Sequence, residues 1–260
     1  MQTQISPSFK ISYRQEGQGA PLVFLHAFPL SSAMWNAQFE EFTREWTVLA
    51  PDFRGIGETS AFEKEPSVQT LAADVAIWLD HLGVNEKIVL CGLSMGGYTA
   101  LEFARSHGDR LAALILADTD SEETSQSREE MIQFAKTSDG RAVAQKMLPK
   151  LVGETTLRDN PRIAEQIQQL AAPNTGENLA KLIAALRDRR DSASVLPQIA
   201  VPTLVIGGSE DAVSPPDVMA QMAAQIPHAR HVVIEGAGHL AGLEKPAAFN
   251  RELRAFLHQI

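Results

Sequence analysis

The chain has 260 residues, of which 44% are hydrophobic and 21% are charged, and its formal net charge at pH 7 is −9. This length and composition are ordinary for a globular protein with one large domain, or with a domain that carries an inserted subdomain. The acidic balance argues against nucleic acid and anionic membranes as partners.

Apolar runs of strand length alternate with amphipathic segments of helix length along much of the chain. Continuous apolar runs are typical of strands that are buried on both faces of a parallel sheet, with helices on each side. We therefore predict an α/β fold with a mostly parallel central sheet. Its strands are predicted at residues 9–14, 22–25, 46–50, 88–93, 111–117, 201–207 and 229–234, and its helices at 68–82, 97–107, 215–225 and 247–260.

The alternation stops after Asp118 and returns near Pro197. Between these residues the sequence contains helix signals and no convincing strand. An all-helical insertion in an α/β chain is typical of a cap over the carboxyl edge of the sheet, where open α/β sheets bind ligands. We predict a core of residues 1–120 and 197–260 and a helical cap of residues 121–196. Helices of the cap are predicted at 127–137, 141–148, 161–171 and 179–187.

One short motif lies at a predicted strand-to-helix junction, where residues 92–96 read Gly-Leu-Ser-Met-Gly. A sharp turn at this junction would strain the backbone of Ser94, and side chains at Gly92 and Gly96 would clash in it. The turn would hold the serine hydroxyl at the N-terminus of a helix, where free amides and the helix dipole favour a developing oxyanion. The motif in this context predicts a nucleophilic serine.

A nucleophilic serine needs a base that takes its proton and an acid that orients the base. His239 lies in a glycine-rich loop after the last predicted strand, and Asp211 follows the strand before it. We predict that Ser94, Asp211 and His239 are the nucleophile, acid and base, in the chain order expected for this architecture. Two other carboxylates remain open as the acid. They are Glu210, beside Asp211, and Asp118, which would otherwise anchor the hinge into the cap.

An oxyanion in acyl transfer also needs two hydrogen-bond donors. One is predicted to be the backbone N–H of Met95, directly after the nucleophile. The other should come from the loop after the strand at 22–25, where Pro29 has no N–H. This leaves Ala27 or Phe28, and we assign the donor to Phe28, whose side chain would then line the acyl pocket. His26 is expected to support this loop through hydrogen bonds.

The predicted cap should set the size of the substrate. Phe134 is our candidate for a substrate-binding residue besides Phe28. Several other apolar residues of this segment either line the pocket or pack the cap itself: Met131, Met147, Leu148, Leu151 and Ile183. The run of charges at residues 187–191 is predicted to be a solvated helix end.

The sequence indicates neither a metal nor a cofactor. The histidines are scattered, and no C-x-x-C, H-E-x-x-H or G-x-G-x-x-G motif is present. The only cysteine, Cys91, excludes an intramolecular disulfide and is typical of a reducing cytosol. Residues 1–10 lack the apolar core of a signal peptide, and no apolar run reaches the length of a membrane span. We expect a cytoplasmic protein without a membrane partner.

Five motifs together resemble those of α/β-hydrolase-fold serine hydrolases with a helical cap. They span nearly the whole chain except the predicted cap. One departure is Ala27, where the family usually has glycine, and alanine requires ordinary backbone angles. The resemblance argues against dehalogenases and epoxide hydrolases, which carry aspartate in place of Ser94. The motifs are LHAFP at 25–29, PDFRGIGETS at 51–60, GLSMGG at 92–97, GGSEDAVSPP from residue 207, and GAGHL at 236–240.

Within that family the chain is similar to small carboxylesterases and 3-oxoadipate enol-lactonases. The Phe-Pro pair after His26 also resembles cofactor-free haloperoxidases. The resemblance implies that a small-molecule carboxylic ester or lactone is cleaved through an acyl-serine intermediate, without a cofactor. Perhydrolysis on the same triad and a non-catalytic ligand sensor remain alternatives, and the sequence leaves the oligomeric state open. Three basic residues of the predicted cap either face an acidic lactone or form a solvated face: Lys136, Lys146 and Lys150.

Overall fold

A computed structural model describes residues 1–121 and 128–260. The strands in these two ranges form one eight-stranded sheet. They are β1 (Gln2–Ser6), β2 (Phe9–Glu16), β3 (Pro21–Leu25), β4 (Thr47–Pro51), β5 (Ile88–Leu93), β6 (Leu111–Ala117), β7 (Thr203–Gly208) and β8 (Ala229–Ile234).

The strand order is β1-β2-β4-β3-β5-β6-β7-β8. The pairs β1–β2 and β2–β4 are antiparallel, and every pair from β4 to β8 is parallel. The predicted mostly parallel central sheet is therefore confirmed. The inner strands β3 and β5 are buried along their whole length, as their continuous apolar sequences indicate.

The helices of the described residues cover both faces of the sheet or lie between β6 and β7 in the chain. No helix in the described part of the chain is both long and apolar enough to cross a membrane. The helices are α1 (Asn36–Phe42), α2 (Val68–His81), α3 (Met95–His107), α4 (Glu129–Lys136), α5 (Gly140–Leu151), α6 (Glu154–Asp159), α7 (Arg162–Ala171), α8 (Gly176–Arg187), α9 (Pro216–Ala224), α10 (Ala241–Glu244) and α11 (Pro246–Leu257).

The core has two layers because successive side chains of a strand point to opposite faces of the sheet. In β3, Val23 and Leu25 join the apolar cluster that includes Trp78 of α2. Leu22 and Phe24 join the cluster on the other face, with residues of α1 and α11. Side chains on both faces of the sheet are therefore covered by helices.

Helices α4 to α8 follow β6 and precede β7, in the segment that the sequence marks as helical. Helix α4 packs on α8, and α5 packs on α7. The side chain of Asp139 accepts a hydrogen bond from Ala142 N at the start of α5, and Thr175 accepts one from Asn178 N at the start of α8. Such caps satisfy amides that have no partner within the helix.

The strand order reverses beside β3, and this reversal positions the site. The chain passes from β3 to β4 on one side, whereas β5 lies on the other side of β3. The loops that leave the carboxyl ends of β3 and β5 therefore diverge and open a crevice, where α/β sheets of this kind bind ligands. Since β7 and β8 run parallel to β5, the loops after them lie at the same edge of the sheet.

Candidate active site

Ser94 lies on a sharp turn between β5 and α3, with φ 54° and ψ −112°. A non-glycine residue rarely adopts such a backbone conformation. The neighbouring glycines are required by close backbone contacts. A Cβ on Gly92 would lie 2.1 Å from the Gly96 carbonyl oxygen, and a Cβ on Gly96 would lie 2.2 Å from the Leu25 carbonyl oxygen. The turn therefore tolerates no side chain at either position without a backbone shift.

Three side chains from three loops form a continuous chain of hydrogen bonds at this turn. Ser94 Oγ lies 2.8 Å from His239 Nε2, and His239 Nδ1 lies 2.9 Å from Asp211 Oδ2. The Asp211 carboxylate can only accept, so Nδ1 carries the hydrogen and Nε2 is free to accept the serine proton. All three residues are at most 9% exposed. The structure thus brings together the three residues predicted as nucleophile, base and acid.

Asp211 is itself held by backbone donors. Its Oδ1 accepts hydrogen bonds from Val213 N at 2.7 Å and from Ser214 N at 2.9 Å. These amides stabilise the ionised carboxylate and fix its orientation toward His239. The turn after β7 therefore holds the predicted acid through two backbone hydrogen bonds.

In the part of the chain that the structure describes, neither of the two other candidate acids forms a hydrogen bond with His239. Glu210 accepts hydrogen bonds from Thr155 N at 2.9 Å and Thr155 Oγ1 at 2.5 Å, and these bonds lower the pKa of Glu210. Asp118 accepts hydrogen bonds from Gly208 N at 2.9 Å and Ala241 N at 3.0 Å. Asp118 directly follows β6, so these bonds connect the end of that strand to the last residue of β7 and the first residue of α10. Its role as an anchor of the hinge into the cap stays a prediction.

Burial and the negative charge of Asp211 both affect the pKa of Asp118. Its side chain is completely buried. Burial, followed by the negative charge of Asp211, raises the pKa of Asp118 well above its usual range, although the two amide donors oppose that shift. A second buried acid therefore lies close enough to Asp211 for the two groups to interact electrostatically.

The loop after β3 is held by His26. Its Nε2 accepts a hydrogen bond from Phe53 N at 3.0 Å, so Nδ1 carries the hydrogen and donates to the Ala27 carbonyl at 3.0 Å. Burial lowers the pKa of His26 and keeps the imidazole neutral. Both ring nitrogens are thus occupied in supporting the loop.

Hydrogen bonding in the same loop differs between Ala27 N and Phe28 N, the two amides considered as donors to the oxyanion. Ala27 N donates to Met34 Sδ at 3.2 Å, so this amide is already engaged. Within the described residues, the amides of Phe28 and Met95 donate no hydrogen bond to another protein atom. Ala27 has an ordinary negative φ, as alanine requires.

A cavity of about 370 Å³ opens at Ser94 and His239. Phe28 lines it, but Phe134 does not, so the prediction that Phe134 binds substrate needs correction. The Phe134 ring instead lies 4.1 Å from Lys146 Nζ and packs against the apolar core. Leu148 and Lys136 are also absent from the wall. Residues of the helical segment that do line the cavity are Arg128 (directly before α4), Glu130, Met131, Lys146, Met147, Lys150, Leu151, Ile183 and Leu186.

Two residues of the cavity wall, Tyr98 and Asp120, contact the buried Arg189 and form with it a polar cluster that the sequence did not indicate. Arg189 is 4% exposed, and its Nη2 lies 3.1 Å from Asp120 Oδ1. Its guanidinium lies 4.2 Å from the centre of the Tyr98 ring. Burial and the charge of Asp120 raise the pKa of Tyr98 to about 12. The prediction of a solvated helix end at residues 187–191 is therefore wrong for Arg189.

The sheet order, the strained serine turn and the helices between β6 and β7 define an α/β hydrolase architecture. A family model for the alpha/beta hydrolase fold matches residues 20–246. The chain therefore belongs to the alpha/beta hydrolase fold family, as the sequence motifs predicted.

Several known proteins are similar to this chain over almost its whole length. A thermophilic esterase from Thermogutta terrifontis, solved with malate bound, has a TM-score of 0.92 and 38% identity, covering 96% of this chain and 94% of that one. The enol-lactonase from Burkholderia xenovorans LB400 has a TM-score of 0.88 and 27% identity, covering 98% and 99%. 3-Oxoadipate enol-lactonase 2 of Acinetobacter baylyi is 28% identical, covering 95% of this chain and 92% of that protein.

Proposed function

We propose that this chain hydrolyses carboxylic esters, including lactones, through an acyl-serine intermediate. The observation that carries the proposal is the 2.8 Å contact between Ser94 Oγ and His239 Nε2 at a strained strand-to-helix turn. The likeness to an esterase and to enol-lactonases supports esters and lactones as the substrate class.

In the acylation half-reaction, Ser94 Oγ attacks the ester carbonyl carbon while His239 Nε2 takes the hydroxyl proton. Asp211, bonded to Nδ1, stabilises the imidazolium that forms. The tetrahedral intermediate then expels the alcohol, which receives the proton from Nε2. The product of this step is an ester between the acyl group and Ser94.

In the deacylation half-reaction, His239 takes a proton from water, and the resulting hydroxide attacks the acyl carbon. The second tetrahedral intermediate expels Ser94 Oγ, which recovers its proton from Nε2. The carboxylic acid leaves and the starting state returns. For a lactone, the alcohol and the acid are parts of one product molecule.

The oxyanion in both steps is proposed to bind the amides of Phe28 and Met95. This is supported by the place of Phe28 in the loop after β3, where it lines the same cavity as Ser94, and by the place of Met95 at the start of α3, directly after Ser94. It is also supported by the absence of another partner for either amide among the described residues. A donor of this kind contributes about 2.7–4 kcal/mol to stabilising the transition state. We also propose that residues 121–196 form a cap that closes the site and sets substrate size.

A substrate with its own carboxylate is a narrower candidate within this class. The cavity wall contains three basic side chains, of Arg128, Lys146 and Lys150. Of the two acidic residues in the wall, Asp120 is already paired with Arg189. The remaining excess of positive charge favours an anionic group in the acyl or alcohol part of the substrate.

Turnover of p-nitrophenyl acetate tests the proposed function. The wild-type chain should release p-nitrophenol catalytically, and Ser94→Ala should abolish this release. A ligand sensor on the same fold would instead give at most one slow turnover per chain, which would overturn the proposal. A chain-length series from acetate to laurate, extended to lactones and to half-esters of dicarboxylic acids, then defines the substrate class, and we expect short acyl chains to be preferred.

A further inference from the structure

The carboxylate of Glu244, at the end of α10, is buried, and all of its hydrogen-bond partners among the described residues are backbone amides. Its Oε1 accepts from Leu240 N at 3.0 Å, and its Oε2 accepts from Gly153 N at 3.0 Å. Gly238 N donates to both oxygens, at 3.0 and 2.9 Å. In the described residues no lysine or arginine forms an ion pair with it. A buried charge is tolerated only where such donors replace water.

These amides belong to two different parts of the chain. Gly238 and Leu240 are the residues directly before and after His239, so the carboxylate fixes the backbone on both sides of the imidazole. Gly153 lies in the linker between α5 and α6. One side chain of the α/β core therefore holds the loop of His239 and also a segment of the helical insertion.

The two backbones approach so closely that only glycines fit. A Cβ on Gly238 would lie 2.3 Å from Gly153 N, and a Cβ on Gly153 would lie 2.9 Å from Gly238 N. This approach lets both amides reach the same carboxylate. The contact is therefore a specific backbone junction, with Glu244 at its centre.

Neighbouring bonds attach the same segment to the loop of the acid. Glu210, next to Asp211, accepts from Thr155 N and Thr155 Oγ1, at 2.9 and 2.5 Å. Thr156 Oγ1 donates to the Gly236 carbonyl, at the start of the His239 loop, at 3.0 Å. Residues 153–156 are thus bonded to the loops that present both Asp211 and His239.

We propose that Glu244 is a positioning residue for His239, and that residues 153–156 form part of the framework that aligns the base with Ser94. The inference rests on the proposed function. Glu244 does not touch the reacting atoms, and it acts by fixing the peptides on both sides of the imidazole. The docked segment restrains the same loop from its other side.

The variant Glu244→Gln tests this role with little change in shape. A glutamine side chain has one acceptor oxygen, which can accept from Gly238 N and from either Leu240 N or Gly153 N. The remaining backbone N–H must then face the NH2 group of the side chain, which cannot accept its hydrogen bond. We expect kcat per active site to fall by about 10- to 100-fold, the scale of loss for a misplaced catalytic group. KM should stay within about threefold, because binding contacts remain.

Asp74→Asn is the matched control. Asp74 is also a buried carboxylate, but it lies on α2 and binds Arg54, at 2.8 and 2.7 Å. Active-site titration with a fluorophosphonate gives kcat per functional site and separates misalignment from simple loss of folded protein. We expect Asp74→Asn to keep kcat per site within about threefold of wild type, since it alters no contact of the His239 loop.

A spectroscopic readout makes the test independent of turnover. The hydrogen between His239 Nδ1 and Asp211 should give a low-field proton resonance, which should broaden or vanish in Glu244→Gln and persist in Asp74→Asn. An unchanged kcat per site together with an unchanged resonance in Glu244→Gln overturns the inference. If wild type itself shows no turnover, the proposed function fails, and the resonance alone decides the role of Glu244.

A milder variant covers the case in which Glu244→Gln does not fold. Thr156→Val removes only the hydrogen bond to the Gly236 carbonyl while keeping a similar side-chain volume. It should lower kcat per site by about 3- to 10-fold, less than the misplacement expected for the central carboxylate. A kcat per site equal to wild type in Thr156→Val would also overturn the inference.

Discussion

Replacing Ser94, the proposed nucleophile, with glycine should give a more stable protein than replacing it with alanine. With φ 54° and ψ −112°, the Cβ of Ser94 strains the turn, whereas glycine adopts positive φ freely. Ser94→Ala is the proper reference, because it also loses the hydroxyl and its bond to His239 but keeps the Cβ. The difference between the two variants therefore excludes the loss of the hydroxyl and depends only on how glycine and alanine differ in the folded and unfolded backbone.

The magnitude follows from two opposing contributions. A residue held in such a conformation costs about 1–3 kcal/mol. The greater freedom of glycine in the unfolded chain offsets about 0.4–1 kcal/mol of the relief. Ser94→Gly should therefore have a free energy of unfolding roughly 1–2 kcal/mol above that of Ser94→Ala. For a protein of this size, such a difference raises Tm by about 2–6 °C.

Urea and thermal unfolding of both variants give this difference directly. The control is the same pair of substitutions at Ser106, in the last turn of α3, where glycine should be less stable than alanine by up to about 1 kcal/mol. The sign of the difference should thus reverse between the two positions. A Ser94→Gly protein no more stable than Ser94→Ala would refute the assignment of strain to this turn.

Two further predictions concern the acids at the site. Asp211→Asn should lower kcat by about 10³- to 10⁴-fold, because an amide at this position favours the wrong imidazole tautomer of His239. Glu210→Gln should lower kcat by less than about tenfold. Equal losses of kcat in steady-state assays of the two variants would contradict the assignment of Asp211 as the acid. Since the pKa of Asp118 is raised on folding, its contribution to stability is complete below the unfolded pKa and is lost as pH rises through the folded pKa. The stability of Asp118→Asn relative to wild type should therefore increase with pH above about 4 in urea titrations, and a difference independent of pH would contradict the raised pKa.

The inner strands of the sheet could be predicted because strands that are buried on both faces have continuous apolar sequences. The strands β5 and β6 were predicted with the bounds that the structure shows, since every residue had to be apolar or small. The edge strand β1 was missed, because its side chains alternate between exposed and half-buried and its sequence is largely polar. Pairing with β2, rather than its own composition, makes this segment a strand.

Part of the candidate site could be predicted from the sequence because segments whose backbones approach closely require glycine. Gly92 and Gly96 mark the turn of Ser94, since no side chain fits there. The sequence has no comparable signal for which residues line the cavity. Met131 and Phe134 lie three residues apart on α4, yet only Met131 lines the cavity. Which of two apolar residues on one helix faces substrate depends on how the helix docks, and apolar spacing does not fix that rotation.

The acids near His239 share a physical arrangement that also explains why sequence alone did not reveal Glu244. Asp118, Asp211 and Glu244 each receive backbone amide hydrogen bonds, and in the described residues none forms an ion pair with lysine or arginine. In the proposed mechanism positive charge develops on the His239 imidazole, and a neighbouring cation would oppose that charge. Amide donors stabilise these carboxylates without adding that opposing charge. Because every residue type except proline supplies a backbone N–H, the sequence contains no partner residue that would have pointed to Glu244.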